Sequence, residues 1–184
     1  MKTIKSLLLF AFIGLSFVAC SDDDDAPVPV NEEETITTLR ITLVPEGGGT
    51  NITIETQDLD GDGPNDPVRD ISGNLSANTT YTGSIVFLNE TETPAEDITE
   101  EVEEEDDEHQ IFYIPSGSIT SVTYDDQDGN GNPLGLAFTL ETGAAGNATL
   151  EVTLVHEPKK PNDGTLSDAG GEVDFTDNYA LTIE

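Results

Sequence analysis

The chain has 184 residues and a formal net charge of −32, because 38 acidic residues face only six basic ones. Nucleic acid and anionic lipid surfaces would repel so negative a protein, which argues against both as partners and favours cations or cationic surfaces. A single cysteine leaves no disulfide to stabilise the fold. A hydrophobic core must therefore stabilise the fold, and the chain is long enough to form one.

The N-terminal segment is typical of a signal peptide. Lys2 and Lys5 give it a basic start, and residues 7–19 form an apolar run. That run is shorter than the ~20 residues of a membrane-spanning helix. The acidic stretch behind it lacks the basic residues that hold a stop-transfer segment in place. We therefore expect residues 1–19 to be removed on export.

The apolar run ends in Phe-Val-Ala-Cys at residues 17–20, which resembles the lipobox of bacterial lipoproteins, although Phe17 replaces the usual leucine. The resemblance implies that Cys20 is acylated and anchors the protein to a membrane. The alternative is an ordinary secretory signal in which Cys20 is incidental.

An acidic run directly follows the cysteine. It is similar to the export signal of surface-exposed lipoproteins of Bacteroidota, and this resemblance implies an outer-membrane lipoprotein that faces the medium. The alternative is a solvated acidic spacer, because like charges repel and extend a linker. The residues of the run are Ser21, Asp22, Asp23, Asp24 and Asp25.

Two further segments complete the predicted organisation. Residues 20–34 are rich in Asp, Glu, Pro and Val without a period, which predicts a disordered acidic tether. Within residues 35–184, about eight runs alternate apolar and polar residues, with Gly, Asn, Asp and Pro between them. This pattern predicts an all-β domain, an antiparallel β-sandwich of immunoglobulin-like or jelly-roll-like type.

One short acidic helix is predicted to lie on this sandwich. Thr93 is suited to the N-cap, Pro94 to the first helical position and Glu96 to a capping box. An apolar stripe at Ala95, Ile98 and Val102 carries the helix to about residue 105. The acidic residues 103–108 oppose the helix dipole, so we expect that end to fray unless a cation lies there.

An Asp-rich stretch near residue 60 resembles the first half of a calcium loop, in which oxygens at alternate positions and a glycine turn surround the ion. Its twelfth position is Arg69, where a bidentate acid is needed. An ordinary hairpin turn is the alternative interpretation. The candidate ligands are Asp58, Asp60, Asp62 and Asp66.

A second copy of this pattern has the same weakness, because its twelfth position is Ala137, inside a predicted strand. Calcium or a simple turn again remain the two interpretations. The candidate ligands are Asp126, Asp128, Asn130 and Asn132.

The two histidines, His109 and His156, would bind a transition metal only if the fold brought them together. His156 shares the inward parity of the run 148–154, so a partly buried histidine at a strand end is the plainer interpretation. Lys159 and Lys160 are expected to neutralise some of the protein's own carboxylates.

Catalytic patterns are weak in this chain. It has no Gly-x-Ser-x-Gly elbow, no tryptophan to stack on a sugar, and Cys20 is assigned to the lipid. The leading hypothesis is a surface-tethered, non-enzymatic binding or adhesion lipoprotein, stabilised by calcium if the Asp-rich loops hold it. Its partner would be a cationic protein or a glycan. The alternatives are a surface hydrolase of polysaccharide or protein and a structural envelope component.

Overall fold

A computed structural model describes residues 34–61 and 63–184. Several of the predictions lie outside the described residues: the signal peptide, the lipid site at Cys20, the acidic run 21–25 and the tether up to residue 33. Asp62 also lies outside them. Among the described residues, no helix has the length and apolar character needed to cross a bilayer.

The described chain is built from two antiparallel β-sheets, which confirms the prediction of an all-β sandwich. The larger sheet has the order β3-β2-β1-β4-β8-β7, with β5 added to the end of β4, and the smaller sheet has the order β10-β9-β6. The strands are β1 (Thr38–Pro45), β2 (Ile52–Gln57), β3 (Val68–Ile71), β4 (Thr80–Asn89), β5 (Glu96–Asp97), β6 (His109–Gly117), β7 (Ile119–Tyr124), β8 (Ala137–Thr142), β9 (Gly146–His156) and β10 (Glu172–Ile183).

The alternation read from the sequence determines which side chains face inward. In β1, Leu39, Ile41 and Leu43 are fully buried, whereas Arg40 between them is exposed and pairs with Glu55 of β2. Successive side chains of a strand point to opposite faces, so this pattern places one face of the sheet on the core. The same holds for the inward residues of β9.

A single hydrophobic core joins the two sheets. Its buried members come from the larger sheet, such as Phe87 and Phe138, and from the smaller one, such as Leu150 and Tyr179. Burying a large apolar side chain completely contributes about 1.5–3 kcal/mol. A core of this kind replaces the disulfides that the chain lacks.

The outer face of the smaller sheet is covered as well. Phe112 and Val155 point away from the main core and pack with Ala169 and Leu166 of a second helix, α2 (Leu166–Ala169). This short helix was not predicted, so the expectation of only one helix was wrong. It explains why the end of β9 is buried on both faces.

The first helix, α1 (Ile98–Glu104), begins later than the sequence pattern indicated. Its N-cap is Asp97, whose side chain accepts the backbone N–H of Thr99, and not Thr93. Residues 96–97 form β5 against the end of β4, and this pairing removes them from the helix. Ala95 is consequently exposed, while Ile98 and Val102 are buried as expected.

Candidate functional site

Carboxylates from three parts of the chain line a cavity of about 660 Å³. Glu34 lies just before β1 and Asp58 just after β2, while Asp174 and Asp177 belong to β10. Among the described residues that line the cavity, Arg69 of β3 is the one basic residue. The cavity therefore has a strongly acidic wall, built mainly from residues that the calcium pattern did not include.

Arg69 is committed to one of these carboxylates. Its Nε donates to both oxygens of Asp177, Oδ1 at 2.9 Å and Oδ2 at 2.8 Å. The Nη2 atom of Arg69 lies 2.8 Å from Oδ1. The Thr56 hydroxyl donates to Oδ2 at 2.5 Å. Burial raises the pKa of Asp177, but the hydrogen bonds from Arg69, Thr56 and the backbone N–H of Asn178 outweigh it and lower the pKa. Asp177 therefore stays ionised at neutral pH.

The fold brings the two histidines into contact, although 46 residues separate them in the chain. His109 at the start of β6 is directly opposite His156 at the end of β9. Their rings are stacked with centroids 4.7 Å apart, and both side chains are buried. Opposed residues of an antiparallel pair share a face of the sheet, so both rings point between the sheets.

Two carboxylates join the histidines. Glu34 Oε1 lies 2.9 Å from His109 Nε2, and both side chains are almost completely buried. Asp174 falls at an irregularity in the pairing of β10 with β9, between Val173 and Phe175. One potential ligand atom from each of these four residues, two imidazoles and two carboxylates, lies within 4.8 Å of every other. We call Glu34, His109, His156 and Asp174 the histidine cluster.

Sequence reasoning did not find Glu34 or Asp174. Glu34 was assigned to the disordered tether, and Asp174 is one acid among 38. The β-bulge is what redirects Asp174, because an extra residue in one strand turns a side chain that regular alternation would place elsewhere. Glu108 and Glu157, which stand next to the histidines in sequence, form a separate group with His156 alone.

The second Asp-rich loop is a tightly hydrogen-bonded connection between β7 and β8. Asp126 accepts the backbone N–H groups of Gly135 and Ala137, at 2.7 and 2.9 Å. Asp128 Oδ1 accepts the backbone N–H groups of Asn130 and Asn132, at 2.9 and 2.8 Å. These hydrogen bonds favour the turn interpretation, because the carboxylate oxygens needed for calcium already have donors.

Lys160 completes this loop. Its Nζ lies 3.3 Å from Asp128 Oδ2 and donates to the backbone oxygens of Asp106 and His109. The ammonium group therefore lies against the acidic segment that follows α1, whose last residue is Glu104. Burial raises the pKa of Asp128, but hydrogen bonds from Asn132, Asn130 and Lys160 outweigh it and lower the pKa to about 2.

The first Asp-rich loop is exposed. The backbone N–H of Asp60 donates to Asp58 Oδ1 at 3.3 Å, and the Asn65 amide donates to Asp60 Oδ2 at 2.6 Å. Asp66 is exposed on the same loop. Calcium at either loop stays a prediction.

The lysines do pair with the protein's own carboxylates, Lys159 with Asp168 at 2.8 Å and Lys160 with Asp128. Neither carboxylate belongs to the acidic run 103–108, although Lys160 also donates to the backbone oxygen of Asp106 in that run. Asp107, Asn130 and Asn132 line a second cavity of about 450 Å³ together with Asp128 and Lys160.

Comparison of the chain with known protein families, with curated proteins and with solved structures finds no match. The function therefore has to be argued from the chain itself.

Proposed function

We propose that the protein is a lipoprotein anchored through Cys20 and displayed outside the outer membrane, where its β-sandwich binds a partner without catalysing a reaction. The lipobox-like residues 17–20 and the acidic run 21–25 support the location. The observation that carries the binding role is the acidic wall of the 660 Å³ cavity.

The chemistry of this cavity favours a cationic partner, such as a lysine- or arginine-rich segment of another protein. Arg69 cannot neutralise the wall, since Asp177 already occupies its guanidinium. Glu34 and Asp174 of the wall belong to the histidine cluster, so Asp58 is the acidic residue of the wall that lies outside both that cluster and the Arg69 pair. Clefts lined with charge of one sign concentrate oppositely charged ligands and steer their approach.

Binding is favoured over hydrolysis by the direction of the pKa shifts. A hydrolase of polysaccharide typically uses a carboxylic acid that remains protonated near neutral pH, with its pKa raised. The pKa values of Asp177 and Asp128, which line the two cavities, are lowered instead. Burial and the charge of Glu34 raise the pKa of Glu101, but Glu101 lies on α1 and lines neither cavity.

The location is tested with intact cells that express the full chain. We expect the wild-type protein to incorporate a labelled fatty acid and to be removed by an external protease. Cys20→Ala should abolish the labelling and release the protein from the membrane. Protection from the protease while the outer membrane is intact would overturn surface display, and labelling of Cys20→Ala would overturn the anchor.

The binding role is tested with the mature chain carrying Cys20→Ser and a short lysine-rich peptide as the probe. Asp58→Lys reverses a charge inside the cavity, whereas Asp70→Lys reverses an exposed charge on β3 outside it. The two variants have the same net charge. We expect only Asp58→Lys to weaken peptide binding strongly. Equal losses would mean that overall charge, and not the cavity, attracts the peptide, and tighter binding of a neutral glycan would overturn the cationic partner.

A further inference from the structure

We propose that the histidine cluster binds one zinc ion, with His109, His156, Glu34 and Asp174 as its four ligands. This inference goes beyond the proposed function, because it requires neither the lipid nor a surface partner, but the two share Glu34 and Asp174, which also line the 660 Å³ cavity.

The size of the cluster suits zinc. Zinc is bound by imidazole nitrogen at ~2.0–2.1 Å and by carboxylate oxygen at ~2.0–2.2 Å, usually with four ligands at the corners of a tetrahedron. Ligand atoms at those corners are roughly 3.4 Å apart. The four ligand atoms here all lie within 4.8 Å of one another. Side-chain shifts of about one ångström would therefore close the set around an ion.

The hydrogen bonds of His109 point to a cation. Its Nδ1 lies 3.2 Å from the backbone oxygen of Glu105, and since a carbonyl can only accept, Nδ1 carries the hydrogen. A neutral His109 then presents the lone pair of Nε2 to Glu34 Oε1, 2.9 Å away. Two atoms that both present lone pairs repel each other at that distance. They need a positive charge, which is either a proton on one of them or a metal ion between them. A metal ion bound to both atoms supplies it.

Two buried polar atoms of the cluster also lack a hydrogen-bond partner among the described residues. They are His156 Nδ1 and Glu34 Oε2. Leaving a buried polar group unsatisfied costs about 1–3 kcal/mol, so such atoms in a folded protein call for a ligand or an ion. His156 is 5% exposed, and its other ring nitrogen, Nε2, is 3.7 Å from Glu108 Oε2. Nδ1 is thus the nitrogen available to the cluster.

His109 has a supporting acceptor on the nitrogen that would not touch the metal, the backbone oxygen of Glu105. Glu108 Oε2 lies 3.7 Å from His156 Nε2, which is beyond hydrogen-bond distance. Metal-bound histidines nearly always have such an acceptor, which fixes the tautomer and orients the ring. The bulge that turns Asp174 toward the same place is a second positioning feature.

Charge and ligand type select the ion. Two neutral imidazoles and two carboxylates carry a charge of −2, which one divalent cation balances in a buried place where an uncompensated charge would be costly. Imidazole nitrogen suits zinc, whereas calcium and magnesium take oxygen ligands. We therefore expect zinc to bind and calcium to fail at this site.

The site would connect parts of the fold that are far apart in sequence. Glu34 precedes β1 of the larger sheet, while His109, His156 and Asp174 lie on the three strands of the smaller sheet. A bound zinc ion would fasten the start of the domain to the opposite sheet. Zinc should therefore slow the opening of the sandwich at this end.

The test uses the mature chain with Cys20→Ser, stripped with EDTA and titrated with zinc chloride against a chelating dye. We expect one equivalent to bind, and the melting temperature to rise with zinc but not with equal calcium or magnesium. His156→Gln and Asp174→Asn should each weaken binding by more than the ~10–100-fold that loss of a supporting group costs. Asp70→Asn is the control, since it removes an exposed carboxylate outside the cluster and should leave zinc affinity unchanged.

Cobalt(II) gives a second measurement that a general loss of stability would not imitate. We expect the stripped wild-type protein to give the visible absorption of four-coordinate cobalt, His156→Gln to lose it, and Asp70→Asn to retain it. Melting curves in EDTA establish that each variant is folded. The proposal is overturned if zinc does not bind at one equivalent, or if binding survives both cluster variants.

Discussion

Lys160 and Asp128 form an ion pair that is almost completely shielded from solvent, with Nζ 3.3 Å from Oδ2 and side chains that are 6% and 0% exposed. The pair connects the chain after β9 to the loop between β7 and β8. Through its bonds to the backbone oxygens of Asp106 and His109, Lys160 also holds the segment after α1. A single side chain therefore links three otherwise separate pieces of the fold.

Replacing this lysine should destabilise the protein severely. Lys160→Met keeps the aliphatic stem but removes the ammonium, which leaves Asp128 charged and two backbone oxygens without their donor. Removing one partner of a buried ion pair typically costs 3–5 kcal/mol, and we expect a loss of about 3 kcal/mol because Asn130 and Asn132 still donate to Asp128. Urea unfolding of the two proteins measures the difference.

The neighbouring lysine is a matched control for that experiment. Lys159 pairs with Asp168 at 2.8 Å, but both side chains are substantially exposed. Exposed pairs contribute little, because water screens them and ordering the side chains costs entropy. Lys159→Met should therefore have a much smaller effect than Lys160→Met. Equal effects would show that burial of the Lys160 pair does not matter.

Lowering the pH should reduce the free energy of unfolding through Asp128 in a defined pH range. Its pKa is about 2 in the folded protein against an ordinary value of 3.8, so the folded state prefers the ionised form. The resulting stabilisation is complete above about pH 3.8 and is lost as the pH falls through about 2. We expect the free energy of unfolding of the wild type to fall more steeply across this range than that of Asp128→Asn. Parallel curves for the two proteins would contradict the assignment.

Gly83 is required by a close contact inside the core. It lies in β4, and a methyl group added to it would meet the ring of the fully buried Phe138 in the adjacent strand. Gly83→Ala should cost about 1–3 kcal/mol, the usual penalty for overpacking, which thermal or urea unfolding would detect. Gly129→Ala is the control, because its added methyl meets no atom within 4 Å. A neutral Gly83→Ala would mean that the ring can move aside.

Calcium at the Asp-rich loops has its own test. Asp126 and Asp128 already accept N–H groups, so we expect the melting temperature in millimolar calcium, relative to EDTA, to rise no more than it does in magnesium. A larger rise in calcium that Asp58→Asn or Asp128→Asn removes would establish a calcium site at the corresponding loop. The zinc measurement is independent, since the histidine cluster shares no residue with either loop.

The parts of the fold that depend on local pattern could be predicted from the sequence. Alternation identified β1 and β9 and the inward parity of His156. The start of α1 was wrong because pairing with β4 draws Glu96 and Asp97 into a strand, and that pairing is a tertiary event that no local propensity records. Strand β3 was missed because it is short and mostly exposed.

The candidate site was less predictable for a related reason. His109 meets His156 only because β6 and β9 pair in one particular register, and a slip of one residue would place the rings on opposite faces. Asp174 enters through a bulge, which adds one residue to the count and cannot be seen in the alternation of β10. The acids beside the histidines in sequence, Glu108 and Glu157, form a separate group with His156 and do not join His109.

Strand β10 is twelve residues long and, within residues 34–61 and 63–184, pairs with one strand, β9, so it is an edge strand of the described sheet. Long edge strands are templates on which other chains can add and aggregate. Here both ends are closed to such addition: the bulge interrupts the ladder near Val173, and a parallel bridge joins Ile183 to Leu75. Among the described residues the stretch between these two points stays open, and the chain's strong negative charge repels further copies. The protein should therefore remain monodisperse at concentrations where an unguarded sandwich would form fibres.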